Sequence, residues 1–323
     1  VRTCVPSLSY GMLQLRPQAH ELGVTLPQPH AVARSGVSRR TLLAGAAAAT
    51  VAATVDPFSP SAASAQSADG QSTNEQLSAA AATYVLIHGS WHDGSMWKPV
   101  AAELRKAGHT VLTPTVAGHG NDGDKTASHT DAVNSVVDQI VDARLSDIVL
   151  LGHSYGGTVI ARVYEEIPDR IRRLIFWNAF VPAAGNSLMD EAPPHYRELF
   201  TQLAAASPDN TVSLPFSIWR ENFIQDAKLE FAQSMFELLS SEPFAPMNEK
   251  LPLDRFYATL PQVGRSFING TEDTALPPGE WGWHPRMSGR LMGPRLVQLP
   301  GSHEVMLTNP VLLAHKIVEA GRD

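Results

Sequence analysis

The sequence predicts an α/β fold, with a mostly parallel sheet, helices on both faces and a helical cap insertion over one end. Three observations lead there. From residue 83 onward, short apolar runs alternate with stretches of helical periodicity, the pattern of repeated strand–helix units that build a parallel sheet. The strand candidates are continuously apolar, as strands covered on both faces are. A chain of 323 residues, 43% hydrophobic, is also long enough to fill a large core.

Each element has its own reason. Thr83–Ile87 is an apolar run ended by His88-Gly89, as a buried strand would be. Trp97–Ala107 places Val100, Leu104 and Ala107 at helical spacing, and Gly108 stops it. Thr110–Val116 is β-branched and reads as a strand, and Thr130–Leu145 carries Val133, Val136, Val137, Ile140 and Val141 at helical spacing. Ile148–Leu151 is a second buried strand, followed by a helix from about Gly156 to Glu166 that Pro168 closes. Leu174–Trp177, Arg265–Asn269 and Arg295–Leu299 are further strands, and Asn309-Pro310 opens the last helix as N-cap and first-turn proline. Residues 182–260 break the alternation with an aromatic, helix-prone stretch. This stretch is expected to form a cap, leaving 83–181 and 261–323 as the core.

The first 82 residues differ in composition. Ser38-Arg39-Arg40-Thr41-Leu42-Leu43 leads into the Ala-rich run Ala44–Val55, then Pro57, Pro60 and the small triplet Ala63-Ser64-Ala65. A basic pair, a short apolar stretch and an A-x-A site make a bacterial export signal, here of twin-arginine type, over residues 1–65. Residues 66–82, rich in Ser, Ala and Gln, read as a flexible lead-in. The apolar run is too short for a bilayer, which takes about 20 residues, so no stable membrane insertion is expected. The expected location is periplasmic or extracellular. Cleavage after Ala65 would remove Cys4, the sole cysteine, so neither a disulfide within the chain nor a thiolate metal cluster can form. A net charge of −7 supplies no basic face for nucleic acid. Composition leaves the oligomeric state open.

The chemistry concentrates in Gly152-His153-Ser154-Tyr155-Gly156-Gly157. This is G-x-S-x-G between an apolar strand and a helix, where a sharp turn lifts a serine hydroxyl clear of the sheet and glycines leave room for the backbones to meet. A serine needs a base to take its proton. His303, in the loop after Arg295–Leu299, is best placed of the twelve histidines. The base needs a carboxylate to hold its tautomer. Asp273, in Asn269-Gly270-Thr271-Glu272-Asp273 at a strand end, is the first choice and Glu272 the second. Asn178, after Leu174–Trp177, stands at an alternative acid position but cannot be the carboxylate. The backbone N–H groups of Ser90 and Tyr155 are the expected oxyanion donors, and Trp91, Trp219 and Phe223 the expected pocket residues.

Two patterns are set aside. Gly118-His119-Gly120-Asn121-Asp122-Gly123 fits G-x-G-x-x-G, but no helix follows promptly, and Asp122 and Asp124 would repel a pyrophosphate. His88 and His92 lie on a strand exit without an H-E-x-x-H context, so no metal is expected.

Together, His88-Gly89-Ser90-Trp91-His92 through Trp97, Gly118-His119-Gly120, the serine motif, Thr271-Glu272-Asp273 and Gly301-Ser302-His303-Glu304-Val305-Met306-Leu307 resemble one branch of the α/β-hydrolase superfamily. That branch contains plant methylesterases, related hydroxynitrile lyases and bacterial esterases, and the resemblance covers about residues 83–320. It implies the α/β-hydrolase fold, with Ser154, Asp273 and His303 as triad, Ser90 and Tyr155 as oxyanion donors, and no cofactor. In the lyases a threonine matches Gly89 and a lysine matches Glu304, so hydrolysis is favoured here. The expected reaction is cleavage of a small apolar or aromatic ester or lactone through an acyl-enzyme. A lyase and a ligand-binding receptor on the same fold are the alternatives.

Overall fold

A computed structural model describes residues 80–323. The expected export signal and all but the end of the lead-in lie outside the described residues. The strands are β1 (Thr83–Ile87), β2 (Thr110–Leu112), β3 (Ile148–Ser154), β4 (Ile171–Ala179), β5 (Thr211–Val212), β6 (Glu242–Pro243), β7 (Gly264–Gly270) and β8 (Arg295–Leu299). Six of them form one sheet in the order β2-β1-β3-β4-β7-β8, every pair parallel. The chain runs outward from β1 to β2, then returns to β3 and proceeds the other way. The switch falls between β1 and β3, and the crevice beyond their C-terminal ends is where open α/β sheets bind ligands.

The helices of the first half are α1 (Lys98–Lys106), α2 (His129–Asp142) and α3 (Gly156–Glu166). Between β4 and β7 come α4 (Leu188–Glu191), α5 (Pro194–Ala206), α6 (Phe216–Asn222), α7 (Leu229–Phe236), α8 (Phe244–Asn248) and α9 (Asp254–Thr259). Then follow α10 (Arg286–Gly289), α11 (Val305–Thr308) and α12 (Pro310–Gly321). Alternation along the strands divides the core. Val85, Ile87 and Leu150 face one side and pack with Val136 and Ile140 of α2 and Ile160 of α3. Leu86, Val149 and Leu151 face the other side, with Leu104 of α1 and Ile317 of α12. Such two-sided burial explains the unbroken apolar strands.

Two helix starts are chemically specified. Ser128 caps α2 in a reciprocal capping box with Asp131. Asn309 accepts from the Leu312 N–H, and Pro310 occupies the first turn of α12.

One strand is shorter than expected: β2 ends at Leu112 instead of Val116. Pro114 has no N–H for a ladder, and the Val116 N–H donates to His88 Nε2 at 3.0 Å instead. The stretch between β4 and β7 also holds more than helices, because β5 and β6 pair antiparallel as a small ribbon, Val212 opposite Glu242.

Candidate active site

Ser154 ends β3 with φ at +52°, a left-handed conformation that non-glycine residues adopt only when their surroundings impose it. Its surroundings are crowded backbone. A Cβ on Gly156 would lie 2.6 Å from the His88 carbonyl, and one on Gly157 would lie 2.3 Å from the Phe180 carbonyl. Those glycines let α3 press against the exits of β1 and β4, which leaves the serine side chain facing the crevice.

The candidate acid and base arrive on the neighbouring strand ends. Asp273 follows β7 and His303 follows β8, and His303 Nδ1 lies 2.6 Å from Asp273 Oδ2 with both side chains buried. Burial alone favours a neutral imidazole; the Asp273 carboxylate opposes it by charge and hydrogen bonding, with a further push from Glu304, and the His303 pKa ends above its ordinary value. With Nδ1 donating to the carboxylate, Nε2 is left as the basic nitrogen. Ser154 and His303 border the same cavity, and no hydrogen bond joins them among the described residues. Such contacts commonly tighten only when substrate binds.

Glu272, the second candidate acid, is exposed, and its Oε2 accepts from the Gly301 N–H at 3.2 Å rather than meeting the imidazole. Asn178 has a part that sequence reasoning missed. Its Nδ2 donates to Asp273 Oδ2, while its Oδ1 accepts from the Gly270 N–H at 3.0 Å. Asp273 Oδ1 accepts from the Ala275 N–H at 2.8 Å, so the carboxylate is held at both oxygens. The signal was present: a polar residue ends an otherwise apolar buried strand at the edge where function gathers.

His153 lies beside the base, with ring centroids 4.4 Å apart. Burial, then the nearby imidazoles of His303 and His92, hold its pKa well below the ordinary value, so it stays neutral and places no like charge against His303.

Register brings the candidate oxyanion turn to the serine, since Ile87 at the end of β1 pairs with Gly152. His88 Nε2 accepts from Val116, so its Nδ1 carries the proton and donates to the Gly89 carbonyl at 2.9 Å. Burial keeps this imidazole neutral, its pKa well below the usual range. Ser90 borders the cavity. Tyr155 follows the serine directly and precedes α3, its side chain fully buried.

The cavity is largely apolar. Trp91 and Phe223 line it as expected, their ring centroids 5.5 Å apart. Trp219 does not. Although buried, it packs 5.7 Å from Phe236 of α7, because α7 lies over α6 and takes the indole. Sequence reasoning missed Tyr196, Phe200 and Trp283, which also line the cavity. Trp283 stacks on the base, 5.3 Å between centroids and 10° between planes. It comes from a loop with no periodic pattern, so no local signal marked it. The free space is narrow, with room for only about two or three waters.

The other patterns have structural partners. His92 Nε2 lies 3.1 Å from Glu304 Oε1, both buried. The Gly118–Gly123 stretch turns without opening a helix, and α2 begins only at His129. No helix among the described residues is long and apolar enough to cross a membrane.

Comparison with known proteins agrees with this architecture. A carbendazim-hydrolysing esterase from a Nocardioides species is 45% identical over 116 residues, covering 35% of this chain and 48% of that esterase. The chain thus spans about half the length of that relative. A pyrethroid hydrolase from Sphingobium wenxiniae is 24% identical over 246 residues, 73% of this chain and 86% of the relative. Among solved structures, an extracellular α/β-hydrolase from a Paenibacillus species superposes with a TM-score of 0.73 at 44% identity. It covers 75% of this chain and all of that one, and is described as sharing structural and functional homology with tobacco salicylic acid binding protein 2. The family model described as the alpha/beta hydrolase family matches residues 84–316, and the chain belongs to that family.

Proposed function

We propose that this protein is a serine hydrolase that cleaves a carboxylic ester or lactone of a small apolar or aromatic substrate through an acyl-enzyme. The observation that carries the reading is the 2.6 Å contact between His303 and Asp273 at a cavity that Ser154 also borders. The esterase and pyrethroid hydrolase among its relatives support it.

In this mechanism Ser154 attacks the carbonyl carbon while His303 Nε2 takes the hydroxyl proton. Asp273 stabilises the imidazolium and does not itself take the proton. The N–H groups of Ser90 and Tyr155 hold the oxyanion, each worth about 3 kcal/mol of transition-state stabilisation. His303 then protonates the leaving alcohol; in the second half it draws a proton from water as that water attacks the acyl-enzyme, and returns it to Ser154 Oγ as the bond to the acyl carbon breaks and the acid leaves. Residues 182–260 act as the cap. Because the cavity is narrow, side chains from the cap, Tyr196, Phe200 and Phe223, move apart to admit an aromatic acyl or alcohol group.

Two features weigh against the lyase alternative. A Cβ at residue 89, as a threonine would bring, lies 2.9 Å from both His153 Nδ1 and Ser154 Cβ. Glu304 turns to His92 and supplies a negative charge where a cyanide would need a positive one. Tight ligand binding without covalent labelling of Ser154 by a fluorophosphonate would favour the receptor alternative instead.

The expected export signal and the extracellular neighbour together support a protein that works outside the cytoplasm. The reaction is tested with p-nitrophenyl esters, aryl methyl esters and lactones. Ser154→Ala is expected to lower turnover on the order of 10⁴-fold or more, with the parent labelled at Ser154 by a fluorophosphonate. Activity within tenfold of the parent would overturn the assignment.

A further inference from the structure

Trp91 holds a left-handed conformation, φ +64°, which is strained for a bulky residue and persists only where its surroundings enforce it. The β5–β6 ribbon enforces it. The backbone N–H of Trp91 donates to Glu242 Oε2 at 2.9 Å, and its indole Nε1–H donates to the Val212 carbonyl at 2.9 Å. Val212 and Glu242 are the cross-strand pair of that ribbon. The Trp91 carbonyl accepts from the Ser240 N–H at 2.8 Å.

These bonds act on the turn that carries the Ser90 N–H. The Gly89 carbonyl and the Ser90 N–H share one planar peptide, which His88 grips by its carbonyl. The next peptide, between Ser90 and Trp91, is gripped at its N–H by Glu242. Two consecutive planes are thus pinned by buried side chains, leaving the Ser90 N–H little freedom. The pins are also linked, since His119 lies with its ring 4.9 Å from His88 and its Nε2 3.0 Å from Glu242 Oε2.

Glu242 is an expensive way to hold a ribbon. It is fully buried, and among the described residues its Oε1 has no hydrogen-bond partner. A buried carboxylate gives up its hydration, and well-packed neutral groups often serve stability as well or better. His119 balances the charge: burial lowers its pKa, but the attraction of Glu242 outweighs this and raises it above the ordinary value.

We propose that Glu242 is a positioning residue, through which the β5–β6 ribbon fixes the Ser90–Trp91 peptide and so aims the oxyanion donor at the cavity. This rests on the hydrolase reading above. It predicts that the position of the acceptor oxygen matters more than its charge. Because Oε2 is the oxygen that accepts from the Trp91 N–H, an amide oxygen can replace it there, with the NH₂ taking the place of Oε1 and a neutral His119 carrying its proton on Nε2. Glu242→Gln keeps that oxygen but loses the charge. Glu242→Asp keeps the charge but withdraws the oxygen by about one C–C bond, ~1.5 Å.

The test compares these variants with the parent in p-nitrophenyl ester turnover and in affinity for a trifluoromethyl ketone, which forms a tetrahedral adduct with a serine. Near-ultraviolet circular dichroism reports whether each variant is folded. Glu242→Gln is expected to keep kcat within about threefold. Glu242→Asp is expected to lose about tenfold or more in kcat, with a matching loss of ketone affinity and KM within about threefold, because donor alignment counts most in the transition state. A folded Asp variant with kcat equal to or above that of the Gln variant would overturn the proposal, as would a rise in KM alone. Should the Gln variant not fold, the Asp variant decides: parental kcat overturns, and a tenfold loss with unchanged KM supports. Absence of fluorophosphonate labelling in the parent would instead refute the underlying serine hydrolase reading.

Discussion

In the proposed reaction His303 acts as a base only while neutral, so its surroundings would set the pH range of turnover. Burial pulls its pKa down, whereas Asp273 and Glu304 push it up, and the balance lies above the ordinary 6.5. A raised pKa means that the active, neutral form is lost earlier as pH falls. The acidic limb of kcat/KM is therefore expected to have its midpoint above 6.5. Asp273→Asn removes the main opposing charge and leaves burial in place, so the limb should move below 6.5 while kcat falls by about 10³- to 10⁴-fold. Glu272→Gln should stay within about threefold of the parent, since the Glu272 carboxylate meets the Gly301 N–H and an amide oxygen can do the same. A pH–rate profile of the three proteins checks all of this; a parental midpoint below 6.5 would contradict the account of His303.

At the scale of elements, the end of α6 and the segment after it join the insert to the loops that carry Asp273 and His303. The Thr274 hydroxyl donates to the Asn222 carbonyl at 3.1 Å, and the Glu304 N–H donates to the Phe223 carbonyl at 3.1 Å. Asp226 Oδ2 accepts from the Ser302 N–H at 3.2 Å and from the Thr308 hydroxyl at 2.9 Å. This clasp carries Phe223 to within 5.5 Å of His303, centroid to centroid, while Trp219, four residues earlier, is committed to α7. The two aromatics should therefore separate experimentally. Trp219→Ala is expected to cost about 3–5 kcal/mol of stability in urea denaturation and leave KM within about threefold. Phe223→Ala should change KM for aromatic esters by about tenfold. Equal kinetic effects would show that both rings face substrate. These elements also mark where sequence reading succeeds and fails. Ser154, Asp273 and His303 each follow a strand whose apolar pattern is local, so their placement at one sheet edge was legible. Trp219 and Phe223 look alike in sequence because both are aromatic at helical spacing. Only the packing of α7 distinguishes them. The β5–β6 ribbon was illegible because its strands are two residues each, with 29 residues between them, too short for any periodicity.

For the whole molecule, the reversal of strand order between β1 and β3 concentrates the site. It sets the Ser90 turn beside the serine turn, and β7 and β8 bring Asp273 and His303 to the same edge. Residues 1–65, which lie outside the described residues, carry the proposal of export. Fused ahead of a folded reporter in a bacterium, they are expected to send it out of the cytoplasm, and Arg39→Lys with Arg40→Lys is expected to retain it. Export unaffected by the double substitution would remove the twin-arginine reading.

The amino-acid order alone determined the alternating strands and helices, the serine turn with its small neighbours, and the succession of candidate nucleophile, acid and base. Each of these depends on residues close together in the chain. Only the tertiary structure decided that Asn178 holds Asp273, that Trp283 covers His303, and that Glu242 reaches Trp91 from 151 positions away. Those contacts arise from the distance between side chains in space, set by how the sheet and its insert pack, and no local pattern encodes that.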